Sequence, residues 1–107
     1  MNTLLLSEKE LEYGGYLEPI AFVVPDKIKS YKKAIKWLKK RPDFLSTIVT
    51  KSCQAVYNDE TGDIPVLSVE DVTDMSIENN RFHIDFEQDE YIYEVNFSMR
   101  FFEVYNV

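Results

Sequence analysis

Three polar residues near the C-terminus have the chemistry of a hydrolytic triad and a spacing that could bring them together. Polar and apolar residues alternate along residues 81–87 and again from Tyr91, which is typical of strands with one buried face. With a tight turn at each end of the first of these strands, Ser76, His83 and Glu94 would form one row on the polar face. Serine, histidine and a carboxylate in hydrogen-bonding order are the groups of a nucleophilic hydrolase.

The surroundings of this row do not favour catalysis. A hydrolase also needs a substrate pocket and donors for the oxyanion, and a flat, solvated sheet face supplies neither. No Gly-x-Ser-x-Gly sequence accompanies Ser76. We therefore expect His83 and Glu94 to form a surface pair in which the carboxylate raises the histidine pKa. We expect no catalytic residues, no cofactor and no enzymatic activity.

A second set of candidate residues is a group of carboxylates around the same predicted strands, which we call the acidic rim. Asp74 and Asp85 would face each other across the first hairpin, which is unfavourable unless a cation relieves the repulsion. That cation could be a divalent metal, although the spacing is not that of an EF-hand, or a basic protein partner. The rim could also be a solvated edge that discourages aggregation. We assign no metal and predict partner binding by Glu70, Asp71, Asp74, Asp85, Glu87, Asp89 and Glu90.

Basic residues are concentrated on one predicted helix, which spans residues 27–41 with Asp26 as its N-cap and Pro42 after its end. Apolar residues gather on one face of this helix and lysines on the opposite face. This lysine face could bind RNA or another anionic ligand, or it could simply be solvated. The alternative anion-binding site therefore consists of Lys29, Lys32, Lys33, Lys36 and Lys40.

The net charge of −7 is unevenly divided along the 107 residues. Residues 1–58 contain ten Lys/Arg and six Asp/Glu, a balance of +4, whereas residues 59–107 contain two Arg and thirteen Asp/Glu, a balance of −11. A nucleic-acid-binding protein normally presents positive charge on its working face, so nucleic acid is not the expected partner. The acidic half instead favours a partner with a basic surface.

The single cysteine and the length of the apolar runs indicate the cellular compartment in which the protein is expected. Cys53 cannot form an internal disulfide, is predicted to be a buried structural residue, and fits a reducing cytoplasm. The apolar run at residues 4–6 is too short for a signal sequence, and no stretch approaches a membrane span.

The remaining patterns predict the strands and helices that position these residues. Asn79-Asn80 suits a two-residue hairpin turn because asparagine tolerates positive φ, and the second turn is predicted within residues 87–90. Phe101-Phe102 breaks the alternation, which indicates a bulge or the end of the last strand. These turns give the cross-strand pairs Glu78–Arg81, Ile77–Phe82, Ser76–His83, Met75–Ile84, Phe86–Tyr91, Ile84–Tyr93 and Phe82–Val95.

Upstream, three less regular segments complete the prediction. A short helix is expected from Glu8 to the Gly14-Gly15 pair. Residues 17–24 are predicted as a strand that is buried on both faces, with Pro19 limiting it to a sheet edge. Residues 44–57 are predicted as a second helix capped by Asp43, and a strand that turns into residues 64–69 is the alternative.

Together these patterns predict a single α+β domain over residues 1–107. An antiparallel sheet of four to five strands, including a C-terminal three-stranded meander, would pack against one or two helices. By analogy of size, acidity and lack of catalytic motif, we expect a monomeric cytoplasmic inhibitor or immunity-type protein that neutralises a basic partner such as a nuclease. The alternative is an adaptor or subunit that binds RNA or an anionic ligand through the lysine face.

Overall fold

Strands from both halves of the chain form one antiparallel sheet in the computed structural model, which describes residues 2–8 and 19–103. In chain order the elements are β1 (Asn2–Glu8), β2 (Ile20–Val24), α1 (Tyr31–Leu38), α2 (Phe44–Cys53), a 3-10 turn (Val69–Asp71), β3 (Val72–Glu78), β4 (Arg81–Gln88) and β5 (Tyr91–Glu103). The order across the sheet is β2-β1-β5-β4-β3, so β5 is central and β3 is an edge. The predicted α+β fold with its C-terminal meander is confirmed.

The core lies between the two helices and the face of the sheet that we call the inner face. The Phe44 ring of α2 lies 5.1 Å from Phe22 on β2 and 6.2 Å from Phe82 on β4, measured between ring centroids. At the other helix, Tyr31 stacks on Phe101 with centroids 4.8 Å apart. The sheet contributes a continuous set of buried side chains, namely Leu4, Leu6, Val24, Phe82, Ile84, Phe86, Val95, Phe97 and Met99.

The first hairpin has the predicted register. Asn79 has a φ of 54°, as the two-residue turn requires, and the pairs from Glu78–Arg81 to Met75–Ile84 all form. Asp74 faces Asp85, as expected. The strand contains one irregularity, because the register shifts between Val72 and Asp74.

The predicted register of the second hairpin is wrong by two residues. Asp89 and Glu90 alone form the turn, with φ values of 52° and 71° that permit the tightest hairpin loop. A shift of two residues keeps every side chain on its predicted face, so the alternation pattern does not distinguish the two registers. The observed pairs are Gln88–Tyr91, Phe86–Tyr93, Asp85–Glu94, Ile84–Val95, His83–Asn96 and Phe82–Phe97.

The first helix is shorter than predicted. It begins after Ser30, whose Oγ accepts a hydrogen bond of 3.2 Å from the Lys33 N–H, and not after Asp26. Residues 25–28 form a turn instead, in which the Ile28 N–H donates to the Pro25 carbonyl at 3.0 Å. The predicted apolar face is correct within the helix, since Ala34, Ile35 and Leu38 are buried, and Ile28 is buried from the preceding turn.

The second helix is confirmed over its strand alternative, but it ends at Cys53 and not at residue 57. Its two threonines fit because their hydroxyls donate hydrogen bonds to backbone carbonyls one turn earlier. Thr47 Oγ1 donates to the Asp43 carbonyl at 2.7 Å, and Thr50 Oγ1 donates to the Ser46 carbonyl at 2.9 Å. Asp43 precedes the helix as predicted, although its carboxylate makes no capping hydrogen bond.

Three expectations for the remaining segments are wrong where the structure describes them. Glu8 belongs to β1 and pairs with Phe97 instead of starting a helix, and the rest of that predicted helix lies outside the described residues. The β2 strand occupies the sheet edge, but Val23 is 53% exposed, so it is not buried on both faces. The last strand continues through Phe101 and Phe102 in register with β1.

Candidate functional site

The predicted row of serine, histidine and carboxylate does not form. His83 faces Ser76 on β3 and Asn96 on β5, whereas Glu94 lies one row away, opposite Asp85. The His83 Nδ1 lies 2.8 Å from Asn96 Oδ1, and its Nε2 lies 2.6 Å from Asp85 Oδ1. The two-residue register shift therefore replaces the expected histidine–glutamate pair with an amide–histidine–aspartate chain.

The contacts with Asn96 and Asp85 favour the charged form of the histidine. Both ring nitrogens face oxygen acceptors, so both act as donors only when the ring carries two protons. The hydrogen bond to Asn96 raises the pKa of His83 most, and the carboxylates of Asp85 and Glu94 add to it, against the opposing effect of burial. The predicted direction of this pKa shift is confirmed, but Asn96 and not Glu94 is its main cause.

Three carboxylates lie side by side on adjacent strands of the opposite, outer face of the sheet. This carboxylate row consists of Asp74, Asp85 and Glu94. Asp74 and Glu94 are exposed, while Asp85 Oδ1 is shielded from solvent and makes no well-aligned hydrogen bond despite its close contact with His83. Within the described residues, His83 is the cationic group in contact with the row.

His83 and two members of the carboxylate row are residue types that bind metal ions. His83, Asp85 and Glu94 each offer one ligand atom, and these atoms lie within 4.8 Å of one another. A nitrogen with two carboxylate oxygens suits a divalent transition metal. In the observed geometry, however, Nε2 is engaged with Asp85. A metal would have to displace this contact and the proton that supports it.

The start of β3 and the β4–β5 turn, which carry most of the acidic rim, lie at the same end of the sheet. The Gln88 side chain ties them together, because its Nε2 donates to the Val66 carbonyl at 2.8 Å and to Asp71 Oδ2 at 3.1 Å. Asp89 and Glu90 form the adjacent turn and are exposed. Glu70 and Glu87 are exposed as well. The rim thus combines exposed carboxylates with two members, Asp71 and Asp85, that also have structural contacts.

Asp71 is the structural member of the rim at the 3-10 turn. Its Oδ2 accepts hydrogen bonds from the Ser68 N–H at 2.8 Å and from the Ser68 hydroxyl at 3.2 Å. The backbone hydrogen bond from Ser68 is the main cause that lowers the pKa of Asp71. Asp71 therefore stays ionised while it fixes the start of β3.

The acidic end extends to residues 58–63, which we call the acidic loop. Asn58 is 7% exposed and holds this loop, because its Oδ1 accepts hydrogen bonds from the backbone of Glu60 and Thr61. Its Nδ2 donates to Tyr93 Oη at 2.9 Å. The run of asparagine, carboxylates and glycine at 58–63 signals a tight acidic turn, but no local pattern shows that it packs on β5.

The lysine face lies toward the opposite end of the sheet. Its five lysines are exposed, but Lys29 precedes α1 and Lys40 follows it. Tyr31 anchors the start of α1 on Phe101, ten residues along β5 from Tyr91. At roughly 3.3 Å per residue, this places the two ends of the charge distribution about 30 Å apart along the strand.

No protein-family model, curated protein or solved structure matches this chain. Neither helix among the described residues has the length and apolar character required to cross a membrane. Cys53 is half-buried and not fully buried as predicted, and its Sγ accepts a hydrogen bond of 3.3 Å from the Leu67 N–H.

Proposed function

We propose that this chain is a protein-binding protein whose acidic rim docks onto a partner with a basic surface and blocks it. The carboxylate row carries this proposal. Asp74, Asp85 and Glu94 lie in register on three adjacent strands, an arrangement in which like charges destabilise the sheet. Since His83 supplies one cationic contact for three carboxylates, an excess of negative charge remains for a partner to compensate.

The distribution of charge supports recognition at long range. Residues 59–107 carry a balance of −11, and the rim, the row and the acidic loop all belong to this part of the chain. A surface of one sign speeds the encounter with an oppositely charged partner, and salt weakens the effect. The expected partner is therefore a protein whose basic surface works on an anionic substrate, such as a nuclease.

Exposed apolar residues beside the rim favour a protein partner over simple solubility. Ile64, Val66 and Val69 are 66%, 84% and 44% exposed, and they lie within one short connection. The Val66 carbonyl is fixed by Gln88, which precedes the acidic turn. Protein interfaces combine an apolar centre with a charged periphery, and this connection offers both.

The competing function uses the lysine face to bind RNA or an anionic ligand. Its lysines are exposed, and the opposite side of α1 is buried in the core, so the exposed residues of the helix are all lysines. Because the lysine face and the rim lie at different ends of the sheet, charge reversal can be applied to each one separately.

Affinity capture with matched baits tests the proposal. One bait carries lysine in place of four exposed rim residues that make no side-chain hydrogen bond to described residues, namely Glu70, Asp74, Glu87 and Glu90. The control bait carries glutamate in place of Lys29, Lys32, Lys33 and Lys36. We expect a specific basic protein on the wild type and on the control bait, but not on the rim-reversed bait, in quantitative mass spectrometry of proteins from the source cell.

Two results would overturn the proposal. One is a partner that is lost only from the lysine-reversed bait, and the other is recovery of RNA that depends on the same lysines. Equal denaturant midpoints for the three baits would show that the differences arise from surface charge and not from unfolding.

A further inference from the structure

A small cavity lies at the acidic end of the sheet, between the acidic loop and the β4–β5 turn. Its volume is about 170 Å³, and the residues that line it include Asp63, Asp89, Tyr91 and Tyr93. Pockets for whole organic ligands start at about 300 Å³. The cavity therefore has room for the head group of one side chain and not for a larger molecule.

The polar groups around this cavity are unequally occupied. The amide nitrogens are already used, since Asn58 Nδ2 donates to Tyr93 Oη and Gln88 Nε2 donates to Val66 and Asp71. By contrast, the carboxylates of Asp63 and Asp89 and the Oε1 of Gln88 accept no hydrogen bond from the described residues. These open oxygen acceptors are complementary to a group that donates several hydrogen bonds.

The charge and the aromatic residues of the cavity further restrict the kind of group that it can bind. Two carboxylates favour a cation, and the faces of tyrosine rings attract cations as well. A hydrogen bond to the Glu60 carboxylate, together with its charge, raises the pKa of Tyr91, so the phenol remains protonated beside the cavity. Among the described residues, the group that brings three metal-ligand atoms together lies elsewhere, around His83. The cavity therefore suits an organic cation better than a divalent metal.

The walls are held in place without an occupant. Asn58 binds two backbone N–H groups of the acidic loop, and Gly62 has the positive φ of 75° that the turn requires. The Asn58 N–H also donates to the Asp63 carbonyl at 2.9 Å, which fixes the backbone that carries one of the two carboxylates. A preformed site loses little conformational entropy on binding.

We infer that this cavity accepts the guanidinium group of an arginine on the basic partner. The inference rests on the proposed function and names the group that the partner inserts. A guanidinium has five N–H donors and no acceptor, is planar enough to stack on Tyr91 or Tyr93, and can bridge Asp63 and Asp89.

Side-chain NMR of the full chain tests the cavity without the partner. The probes are the blocked tripeptides acetyl-Gly-Arg-Gly-amide and acetyl-Gly-citrulline-Gly-amide, which differ in charge but hardly in shape. We expect the arginine peptide to shift the ring signals of Tyr91 and Tyr93 and the side-chain amide of Asn58, with saturation in the millimolar range. The citrulline peptide should shift them little. Equal shifts with the two peptides would overturn the inference.

Matched variants locate the binding. Asp63→Asn with Asp89→Asn removes two charges from the cavity and should weaken arginine-peptide binding about tenfold or more, the effect of losing charge-assisted hydrogen bonds. Asp43→Asn with Glu78→Gln removes two exposed charges from outside both the cavity and the acidic rim, and should change binding by less than about threefold, since exposed charges act weakly. Equal losses in the two variants would show a diffuse charge effect and contradict a site at the cavity.

Two further comparisons separate this inference from the proposed function and from a small-molecule site. N-acetylarginine has a free carboxylate that Asp63 and Asp89 repel and no α-ammonium group that they attract, so tighter binding of N-acetylarginine than of the tripeptide would contradict a partner side chain. If the tripeptide does not bind but the rim-reversed bait still loses its partner, the cavity inference fails and the proposed function stands. If the tripeptide binds and no bait recovers a basic protein, the proposed function fails instead.

Discussion

The two faces of the sheet differ in the side chains that they carry and in how those side chains affect stability. On the inner face, Phe82, Ile84 and Phe86 are fully buried under the helices and belong to one cluster of apolar and aromatic side chains. On the outer face, the intervening residues of the same strand, His83 and Asp85, lie among carboxylates that repel one another. The β4 strand thus contributes buried apolar side chains to the inner face and part of a group of mutually repelling carboxylates to the outer face.

Within a single strand, the residues that stabilise the fold are therefore distinct from those of the surface that we propose binds the partner. Burial of large aromatic side chains gives the inner face most of the folding free energy. The carboxylate row costs stability, and proteins retain such costs where a surface has another use. Substitutions on the two faces should therefore have effects of opposite sign.

The largest effect is expected from the inner face. Phe86→Ala should lower the free energy of unfolding by about 3–5 kcal/mol, because it leaves a cavity under Tyr93 and Val72. The neighbouring substitution Glu87→Ala is the control and should change little, because its side chain is exposed. Equal shifts of the denaturant midpoint for these two variants would contradict the assignment of the faces.

A smaller loss of stability is expected from a substitution where the acidic loop contacts β5. Tyr93→Phe removes only the hydroxyl that accepts the hydrogen bond from Asn58 Nδ2, and should cost about 1 kcal/mol. Hydrogen exchange of the Gly62 amide, which donates to the Asn58 carbonyl, should become faster in this variant. Unchanged exchange would show that the loop is held by its own hydrogen bonds alone.

On the outer face the sign should reverse. Asp74→Asn removes one charge from the carboxylate row and should raise the free energy of unfolding by about 0.5 kcal/mol, the scale of a cross-strand charge pair. Glu70→Gln, which removes an exposed charge outside the row, should leave it unchanged. A destabilised Asp74→Asn protein would contradict the view that the row is kept at a cost.

The smallest effect concerns the protonation of His83. Because its pKa is raised in the folded state, its contribution to stability is complete below the unfolded pKa of about 6.5 and is lost as pH rises through the folded pKa. In an NMR titration, Asn96→Ala should lower this pKa more than Glu94→Gln does. The reverse ranking would indicate that charge, and not the amide hydrogen bond, sets the pKa.

The sequence predicts the two faces better than it predicts the neighbours across strands. Alternation assigns each side chain of β4 to its face, and Asn79-Asn80 marks the first turn by residue type. No residue type marks the second turn, since Glu90 adopts a positive φ that glutamate seldom takes. A register slip of two residues leaves the alternation intact, and that slip exchanged Glu94 for Asn96 beside His83.

Contacts between distant segments account for the other differences. The β1 strand pairs with β5, about 90 to 100 residues away, so the short apolar run around Leu4 gives no local sign of its partner. The cavity depends on the contact between Asn58 and Tyr93, 35 residues apart. The helix faces were predictable because the apolar periodicity is local, whereas the start of α1 depended on which of Asp26 and Ser30 provides the cap.

The association rate with the captured partner tests the central claim most directly. Stopped-flow mixing would compare the wild type with the rim-reversed and lysine-reversed proteins at low and physiological salt. We predict that reversal of Glu70, Asp74, Glu87 and Glu90 slows association about tenfold or more and removes most of the salt dependence, while lysine reversal changes the rate little. Association that slows only when the lysines are reversed would contradict the account.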